Sequence, residues 1–406
     1  MKRTYLFLSA FMVAVLTAGF VSSCSSADDF NSVSANDNEE KQLTLTIKTQ
    51  VLTKAAASAD PNTTNENTMN RITIGIFDQA GNTVRAVQEF SPTSTESAAT
   101  AGSHLFYNGT NGTNGTATVS VVTTQLTNTD QILVAVNAPA SLFAGVTTAA
   151  DFKKKTLTAV QTLYTKSDKS SPTDGIAVSN NIPMLGTATV SGSGTSYSAT
   201  VKPIHLASKV TLESLKVEFA SDGPYSAATF TPTEIFIYNA PDGLTFDDAN
   251  PYISTSTYFT GESSSSSAAE FLSTGDISTG ATALSGTNTF GTKYYFYTTP
   301  NNNVDANKTK LVIKGQFDPD GSGSAPAKTV YYPVKLNSNV KSDGSHSVAE
   351  ASTNEYQVYP NKNYKCSVTI KTIGSASPGS DIDPTTATVT INVVSFTGID
   401  QSTTFQ

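Results

Sequence analysis

The stretch Leu43-Thr44-Leu45-Thr46-Ile47-Lys48 alternates apolar and polar side chains without a break. A period of two residues places the apolar side chains on one face of a β-strand and the polar ones on the other. Val51 follows the stretch, and a basic residue, Lys54, then precedes Ala55 and a run of small residues. The sequence therefore predicts a half-buried strand close to a peptide bond that an Arg/Lys-specific protease can cut.

The far end of the chain repeats this pattern. Apolar residues alternate with polar ones and then lead into two further apolar positions; these residues are Val389, Ile391, Val393, Val394 and Phe396. If a cut after Lys54 removes the first strand, its sheet is left with an open edge and an uncovered groove. The terminal strand of another copy can fill that groove, because strand addition to a sheet edge is an established mode of recognition. The two ends together predict polymerisation by strand exchange, with residues 387–406 as the donor.

The beginning of the chain has the pattern of an export signal. Lys2 and Arg3 precede the apolar stretch Tyr5–Phe20, and Val21-Ser22-Ser23-Cys24 closes it. This predicts a secretory signal over 1–23 in preference to a retained membrane helix, which needs about 20 apolar residues. Val-Ser-Ser-Cys resembles the bacterial lipobox, whose cysteine is lipidated. We therefore expect Cys24 to carry the lipid of an outer-membrane lipoprotein precursor exposed at the cell surface.

The composition is typical of an exported β protein. The 406 residues include no tryptophan, only 14% are charged, and the net charge is −8. The length favours two domains, and the acidic balance argues against a nucleic-acid partner, for which a basic patch is expected. Many short strands with polar outer faces fit such a mixture. With Cys24 lipidated, Cys366 has no disulfide partner within the chain, and its position in an alternating segment predicts a buried thiol.

The order of the patterns predicts an all-β fold with minor helix. Residues 71–77 and 84–90 read as a hairpin, 132–137 as a central strand and 147–165 as the best helical candidate. A slip in the alternation near Ser214 indicates a β-bulge. The Ser-rich segment 261–287 is expected to be a long exposed excursion.

We expect two antiparallel β-sandwich domains. The predicted parts are a signal peptide at 1–23, a propeptide with the removable strand at 24–54, an N-terminal sandwich at 55–203, and a C-terminal sandwich at 204–406.

Patterns that would indicate catalysis, a cofactor or a metal are missing from the sequence. The three histidines lie in separate segments without metal-ligand spacing. The segment 318–323 is similar to the start of an EF-hand loop, but Thr329 stands where that loop requires glutamate, so a hairpin turn is the better interpretation. Asp247 and Asp248 are adjacent, which is the wrong arrangement for a pair of catalytic carboxylates. The sequence therefore predicts that the protein is not an enzyme.

A set of short motifs, in order along the chain, resembles the type V pilins, or fimbrillins, of Bacteroidales, and their major shaft subunits in particular. Besides the lipobox at Cys24 and the strand ending before Lys54, the motifs are Val134–Ala138, Ile182–Gly186, Leu206–Val210, Tyr331–Val334, Tyr359–Tyr364 and Ser367–Ile370. Two positions depart from the family: Lys54 replaces the usual arginine at the cut, and Phe396 stands where relatives often have tryptophan.

The resemblance implies that the sandwiches are transthyretin-like, with Greek-key topology. It also implies the steps by which the subunit is exported, cleaved and assembled. Cleavage after Lys54 would discard the lipid and the first strand, so that the mature chain begins at Ala55. The partners would be identical subunits, joined through the C-terminal strand, together with tip and anchor subunits, and the product would be an extracellular fimbrium that serves adhesion and biofilm formation.

Two other functions stay open on the sequence. One is a fimbrial tip or anchor protein, or a monomeric surface lipoprotein that binds a glycan or another cell. The run Tyr294–Tyr297 could form its sugar platform, although alternating burial within a strand explains such a run more often. The other is a secreted enzyme, which no residue pattern in the sequence supports.

Overall fold

The computed structural model describes residues 41–48, 66–67, 69–90, 105–107, 116–123, 125–158, 182–255, 257–268, 272–286, 288–341, 345–351, 353–381 and 386–395. The expected signal peptide, Cys24, Val51, the bond between Lys54 and Ala55, and Phe396 lie outside these ranges. Within them the chain is almost entirely β, with 3% helix. The predicted fold class is therefore confirmed.

Two five-stranded sheets are built from the first half of the chain. The first sheet has the order β4-β5-β1-β10-β9, with β1 at Lys41–Lys48, β4 at Leu105–Tyr107, β5 at Thr116–Thr123, β9 at Ser191–Ser193 and β10 at Ser196–Val201. The second sheet has the order β11-β8-β6-β2-β3, with β2 at Ile72–Phe77, β3 at Val84–Phe90, β6 at Gln131–Val136, β8 at Met184–Thr189 and β11 at Ile204–His205.

The second half of the chain forms two further sheets, of seven and four strands. The third sheet has the order β16-β12-β22-β23-β20-β21, and β17 also pairs with β12. Its strands are β12 at Ser208–Val217, β16 at Thr289–Phe290, β17 at Tyr294–Thr298, β20 at Ser338–Val340, β21 at His346–Val348, β22 at Lys362–Ile370 and β23 at Ala387–Ser395. The fourth sheet has the order β15-β13-β18-β19, with β13 at Thr229–Pro241, β15 at Tyr258–Thr260, β18 at Lys310–Asp318 and β19 at Lys328–Lys335.

A two-stranded ribbon and a short helix complete the described elements. In the ribbon, β7 at Thr156–Thr158 pairs with β14 at Gly243–Thr245, and helix α1 spans Ala149–Lys153. All the strand pairs among the described residues are antiparallel except two: β1 runs parallel to β10, and β12 runs parallel to β22. The first strand of the described chain thus enters its sheet between one antiparallel and one parallel neighbour.

The second sheet is covered on both faces. One face shares a core with the first sheet that includes Leu45, Ile74 and Val134. On the other face, Phe77 lies in an aromatic cluster with Phe143, Phe152 and Phe246, and the rings of Phe143 and Phe152 stack with centroids 4.0 Å apart. This double burial explains why all six residues of β2 are buried, and it confirms the predicted central strand at β6.

The third and fourth sheets enclose the largest core of the described chain. Its members come from both sheets and include Val210, Ile235, Ile313, Tyr332 and Cys366. Alternate residues of β22 face this core, as the burial of Tyr364, Cys366 and Val368 indicates. The predicted bulge is also confirmed, since the register of β12 against β22 shifts between Leu212 and Ser214.

The predicted helix over 147–165 is confirmed only at Ala149–Lys153 and is wrong at Thr156–Thr158, which form β7; residues 159–165 lie outside the described ranges. Thr148 caps α1 by accepting a hydrogen bond from the Asp151 backbone N–H at 3.0 Å, and the helix ends at Lys153. The chain then turns into β7, where Leu157 is buried beside Leu244 of β14. Two β-branched threonines flank Leu157, and pairing with a distant strand outweighs the helical spacing that the sequence suggests.

The Ser-rich segment is anchored to the core and is not simply an exposed excursion. Leu272 and Leu284 are buried in the large core. The backbone of Leu284 exchanges hydrogen bonds with that of Phe230, and the Thr274 N–H donates to the Ile235 carbonyl at 2.8 Å. The prediction missed these anchors because single apolar residues in a run of small polar ones carry no periodicity.

Candidate assembly strands

The first strand, β1, lies in the centre of the first sheet. It pairs with β5 at eight positions, from Lys41 opposite Thr123 to Lys48 opposite Thr116. On its other side it pairs with β10 at six positions, and Leu45 lies opposite Ala199 there. Since β1 is the only strand between these neighbours, its removal would divide the sheet into the pairs β4–β5 and β10–β9.

The side chains of β1 confirm the predicted alternation. Leu43, Leu45 and Ile47 are 0% exposed and belong to the core between the first two sheets, whereas Thr44 and Lys48 point to solvent. Burial of three such side chains contributes about 5–9 kcal/mol before the entropy of ordering is counted. The strand is thus a full member of the core and not an edge that can be lost without consequence.

After β1, the next described residue along the chain is Glu66, which is buried in a polar cluster. Its Oε1 atom accepts hydrogen bonds from Lys209 Nζ and from the Tyr297 hydroxyl, both at 2.6 Å. Its backbone carbonyl lies 2.8 Å from Nε2 of His205. The cluster therefore ties residue 66 to β11, β12 and β17.

Burial sets the electrostatics of this cluster. Desolvation, aided by the charge of Lys209, lowers the pKa of His205 from its ordinary 6.5 to about 4, so the imidazole is neutral at pH 7. Burial together with the Glu66 carboxylate raises the pKa of Tyr297 well above its ordinary value. The ammonium group of Lys209 also lies 4.8 Å from the centroid of the Tyr295 ring. Glu66 and Lys209 therefore form a charged pair in surroundings that keep Tyr297 and His205 neutral.

The last described strand, β23, is held mainly along one side. It pairs with β22 at nine positions, and Ile391 lies opposite Cys366. Towards β20 it has one register partner, Val389 opposite Val340, and the Ile391 N–H donates to Oδ1 of Asn339 at 2.7 Å. Release of β23 thus requires breaking one long ladder and a few contacts on the other side.

The alternation predicted for the terminal strand is confirmed over its described part. Val389 and Ile391 are 4% and 3% exposed and face the large core, and Val393 packs against it while partly exposed. Val394, which has the opposite parity, is also partly exposed. A cavity of about 20 Å³ lies between β23, the β20–β21 hairpin and the end of β19, with Val340, His346 and Val389 among its lining residues. The packing of β23 is thus looser on this side.

The other residues singled out in the sequence have structural surroundings. Cys366 is buried, and desolvation raises the pKa of its thiol well above the ordinary value. Asp247 and Asp248 both pair with Lys153, at 3.5 and 3.1 Å. In the β18–β19 turn, Asp318 and Asp320 accept hydrogen bonds from backbone N–H groups of the turn itself. The carboxylates of Asp318 and Asp320 thus stabilise the turn. The described residues contain no group of three or more His, Cys, Asp or Glu that could hold a metal ion.

The aromatic run cannot serve as a sugar platform in this fold. Tyr294, Tyr295, Phe296 and Tyr297 are all buried, none being more than 5% exposed. Tyr294 and Phe296 face the large core, while Tyr295 and Tyr297 pack with Ile182 and Ala207 on the opposite side of β17. The suggested platform was wrong because both faces of this strand are covered.

Sequence reasoning missed the Glu66 cluster. Glu66 follows a run of polar residues, and its partners Lys209 and Tyr297 lie 143 and 231 positions away along the chain. Alternation around Lys209 predicts its strand, but the sequence does not indicate which residue pairs with an ionisable side chain at a buried position.

In the part of the chain with described structure, no helix is long and apolar enough to cross a bilayer.

The fold defines an all-β protein of layered sheets in which the first and last described strands are integral sheet members. Residues 42–213, a little under half of the chain, match the family model of the major fimbrial subunit protein, FimA. The resemblance to fimbrillins that the sequence predicts is therefore confirmed. That family is one of structural fimbrial subunits and not of enzymes, in agreement with the prediction. No curated protein matches the chain by sequence.

Solved structures share the fold over most of the chain. A candidate cell adhesion protein from Parabacteroides distasonis has 15% identity and a TM-score of 0.60, over 89% of this chain and 98% of that one. Another, from Bacteroides eggerthii, has 20% identity and a TM-score of 0.54, over 88% and 96%. A fimbrilin (FimA) from Porphyromonas gingivalis has 13% identity and a TM-score of 0.53, over 88% and 99%. The likeness thus extends from the matched region through the second pair of sheets.

Proposed function

We propose that the protein is a fimbrial shaft subunit that polymerises by protease-triggered strand exchange. The precursor reaches the outer surface as a lipoprotein anchored through Cys24. An Arg/Lys-specific protease cuts between Lys54 and Ala55 and thereby frees the segment that contains β1. The β23 strand of the next subunit then occupies the vacated position in the first sheet, and the resulting extracellular fimbrium serves adhesion and biofilm formation.

The central position of β1 is the observation that carries this proposal. Its loss would leave β5 and β10 with eight and six unpaired positions facing each other. It would also open the core that Leu43, Leu45 and Ile47 fill. Unpaired backbone groups and exposed apolar surface are both costly. The gap therefore has a strong tendency to take up another strand of similar length and alternation.

The terminal strand supports its assignment as the donor. It has nine residues, an alternating apolar face, and a long ladder along one side only. Its transfer from one subunit to the next is a head-to-tail contact that does not close on itself, and such contacts generate an open filament. Within the filament, each vacated edge is paired again.

We place the division between the two sandwich domains at residues 203–207. The strand β11, at Ile204–His205, still pairs with β8 of the second sheet, whereas β12 of the third sheet begins at Ser208. With the propeptide removed, the N-terminal domain would accept a strand and the C-terminal domain would donate one. This arrangement gives each subunit one acceptor and one donor.

Substitution at the proposed cut tests the function. We expect Lys54→Ala to trap the lipidated precursor as a monomer, while the matched change Lys48→Ala, at an exposed site on β1, leaves fibres unchanged. Surface-sheared material is compared by gel migration without heating, and the mature N-terminus is sequenced. Normal multimer ladders from Lys54→Ala, or an N-terminus far from Ala55, would contradict the assigned cut.

A competitor peptide tests the donor. Deletion of 387–406 is expected to abolish polymerisation, but it also removes Val389 and Ile391 from their own core. A synthetic peptide of residues 387–406 avoids this difficulty, and we expect it to block elongation of cut subunits. A peptide in which each apolar residue of the strand is exchanged with its polar neighbour is the control. Fibres of normal length with the native peptide in excess would count against the role of this strand.

A tip, anchor or monomeric adhesin is the second candidate. A lipid-bearing monomer as the only surface species would favour it. The burial of the Tyr294–Tyr297 run removes the feature that suggested a glycan site, so the shaft subunit is the function that the described residues support best.

A further inference from the structure

We propose that the incoming strand binds in a single register, in which Ile391 takes the place of Leu45. Val389 and Val393 then occupy the places of Leu43 and Ile47. This inference rests on the proposed function and adds to it the position of the partner strand within the site.

The two strands carry the same order of side chains. Leu-Thr-Leu-Thr-Ile spans 43–47, and Val-Thr-Ile-Asn-Val spans 389–393. In the described structure both stretches point their apolar residues into a core and their polar residues away from it. With Ile391 at the central position, an isoleucine replaces a leucine of equal size, and a valine replaces a larger residue on each side. The core between the first two sheets is thus refilled with the loss of one carbon atom at each end.

Other registers fit less well. A shift by one residue would turn Thr390 and Asn392 into the core, because neighbouring side chains point to opposite faces. A shift by two residues in one direction places Ala387 where a large side chain is needed, and in the other direction it places Ser395 there. Either substitute leaves a void or a buried hydroxyl group, and close-packed cores tolerate neither well.

The central match does not depend on the direction of the incoming strand. Val389 and Val393 are identical and flank Ile391 symmetrically, so a reversed strand fills the same three places with the same volumes. The proposed register therefore fixes Ile391 at the centre of the site in either direction, opposite Ala199 of β10, as Leu45 is in the uncut chain. Ala199 packs against the same core, which brings the two side chains to the same face of the sheet.

Crosslinking between subunits tests the register. Ala199→Cys is combined with Ile391→Cys in a Cys366→Ala background, since Cys366 lies opposite Ile391 in the strand's own sheet and would compete. The matched controls carry the second cysteine at Val389 or Val393. After cutting and assembly, the thiols are bridged with dibromobimane, a short reagent that fluoresces once both its ends have reacted. We expect several-fold more covalent multimer with Ile391→Cys than with either control, and equal or greater crosslinking at Val389 or Val393 would overturn the register.

A second measurement removes the dependence on how each variant folds. Synthetic peptides of residues 387–395, with one cysteine at 389, 391 or 393, are added to cut subunits that carry Ala199→Cys and Cys366→Ala. Preferential bridging by the peptide with cysteine at 391 is the expected result. Peptides that block elongation but react equally well at all three positions, or not at all, would refute the register while leaving the proposed function in place.

A third variant separates failure of the function from failure of the register. Ile391→Cys alone retains Cys366, so an internal disulfide can hold β23 in its own sheet. We expect this oxidised variant to remain monomeric after cutting and to polymerise once it is reduced. If the oxidised form polymerises normally, β23 is not the donor and both proposals fall.

Discussion

Nζ of Lys209 lies 2.6 Å from Oε1 of Glu66, and both side chains are at most 5% exposed. This ion pair joins the first described residue after the 49–65 segment to β12. The Tyr297 hydroxyl donates to the same carboxylate oxygen. Because the proposed cut lies upstream of Glu66, the ion pair would stay within the mature subunit. Once cut, β1 would have no covalent link to the subunit and would be held by packing, by strand pairing and by contacts such as the hydrogen bond from Lys41 Nζ to the Leu126 carbonyl at 3.1 Å.

Glu66→Gln should strongly destabilise the protein. The substitution leaves the Lys209 ammonium group buried without its counter-charge, and breaking a buried pair in this way typically costs about 3–5 kcal/mol. Urea unfolding of the uncut chain measures the loss as a lower midpoint. Glu218→Gln is the control, because Glu218 pairs with Lys216 in solvent at 54% and 47% exposure, and exposed pairs contribute little. Equal midpoints for the two variants would show that the buried pair contributes no more than a surface one.

Stability should also fall as the pH drops from about 6.5 to about 4. Burial lowers the pKa of His205 to about 4, so between these pH values the unfolded chain binds a proton that the folded chain does not. The stabilisation is complete above pH 6.5 and is lost progressively on acidification, by about 3 kcal/mol in all. Unfolding midpoints measured between pH 4 and 7.5 test this slope.

His205→Asn should flatten the pH profile in this range, whatever its effect on stability at pH 7. His346 is exposed, and His346→Asn is the matched control that should preserve the slope. The groups near His205 include the Glu66 carbonyl, Lys209 and Asn361, and neither variant changes any of them. An unchanged slope in His205→Asn would assign the acid sensitivity to other groups.

Patterns within a short window predicted more of this molecule than contacts between distant residues did. The alternation in β1 and β22 was sufficient because each strand has one core face, and the β2–β3 hairpin followed from local turn chemistry. The position of β1 in the middle of its sheet did not follow, since its partners β5 and β10 begin 75 and 155 residues after Lys41. Residue type alone suggests neither the Glu66 cluster nor the leucine anchors of the Ser-rich segment.

Leu45→Ala should destabilise the precursor but not the mature filament. In the uncut chain Leu45 is fully buried, and truncation of such a leucine costs about 2–5 kcal/mol. After cutting and exchange, β1 has left the subunit, so filaments of the variant and of the unchanged protein should melt at the same temperature. Thr44→Ala, on the solvent side of β1, is the control for the precursor. A less stable filament would mean that β1 stays in the mature subunit.

The Cys366 thiol should be unreactive in the folded protein. It is buried in the large core, and desolvation raises its pKa, so little of the reactive thiolate forms near neutral pH. In a Cys24→Ser variant it is the sole thiol of the chain. Labelling with a thiol reagent should be negligible in native buffer and complete in urea. Rapid labelling of the native precursor would indicate that β22 and β23 separate readily even before the cut.

Asn339→Ala should speed the release of β23 and therefore assembly. The Asn339 side chain accepts the Ile391 N–H at 2.7 Å, on the side of β23 where Val340 and Val389 form the one register pair. Loss of one such hydrogen bond typically costs about 0.5–1.5 kcal/mol. The nine-position ladder to β22 remains, so the subunit should stay folded. Hydrogen exchange at the Ile391 amide should be faster in the variant, and cut subunits should elongate sooner. If exchange is faster but elongation is unchanged, strand release does not limit assembly, and removal of β1 from the first sheet becomes the slow step to examine.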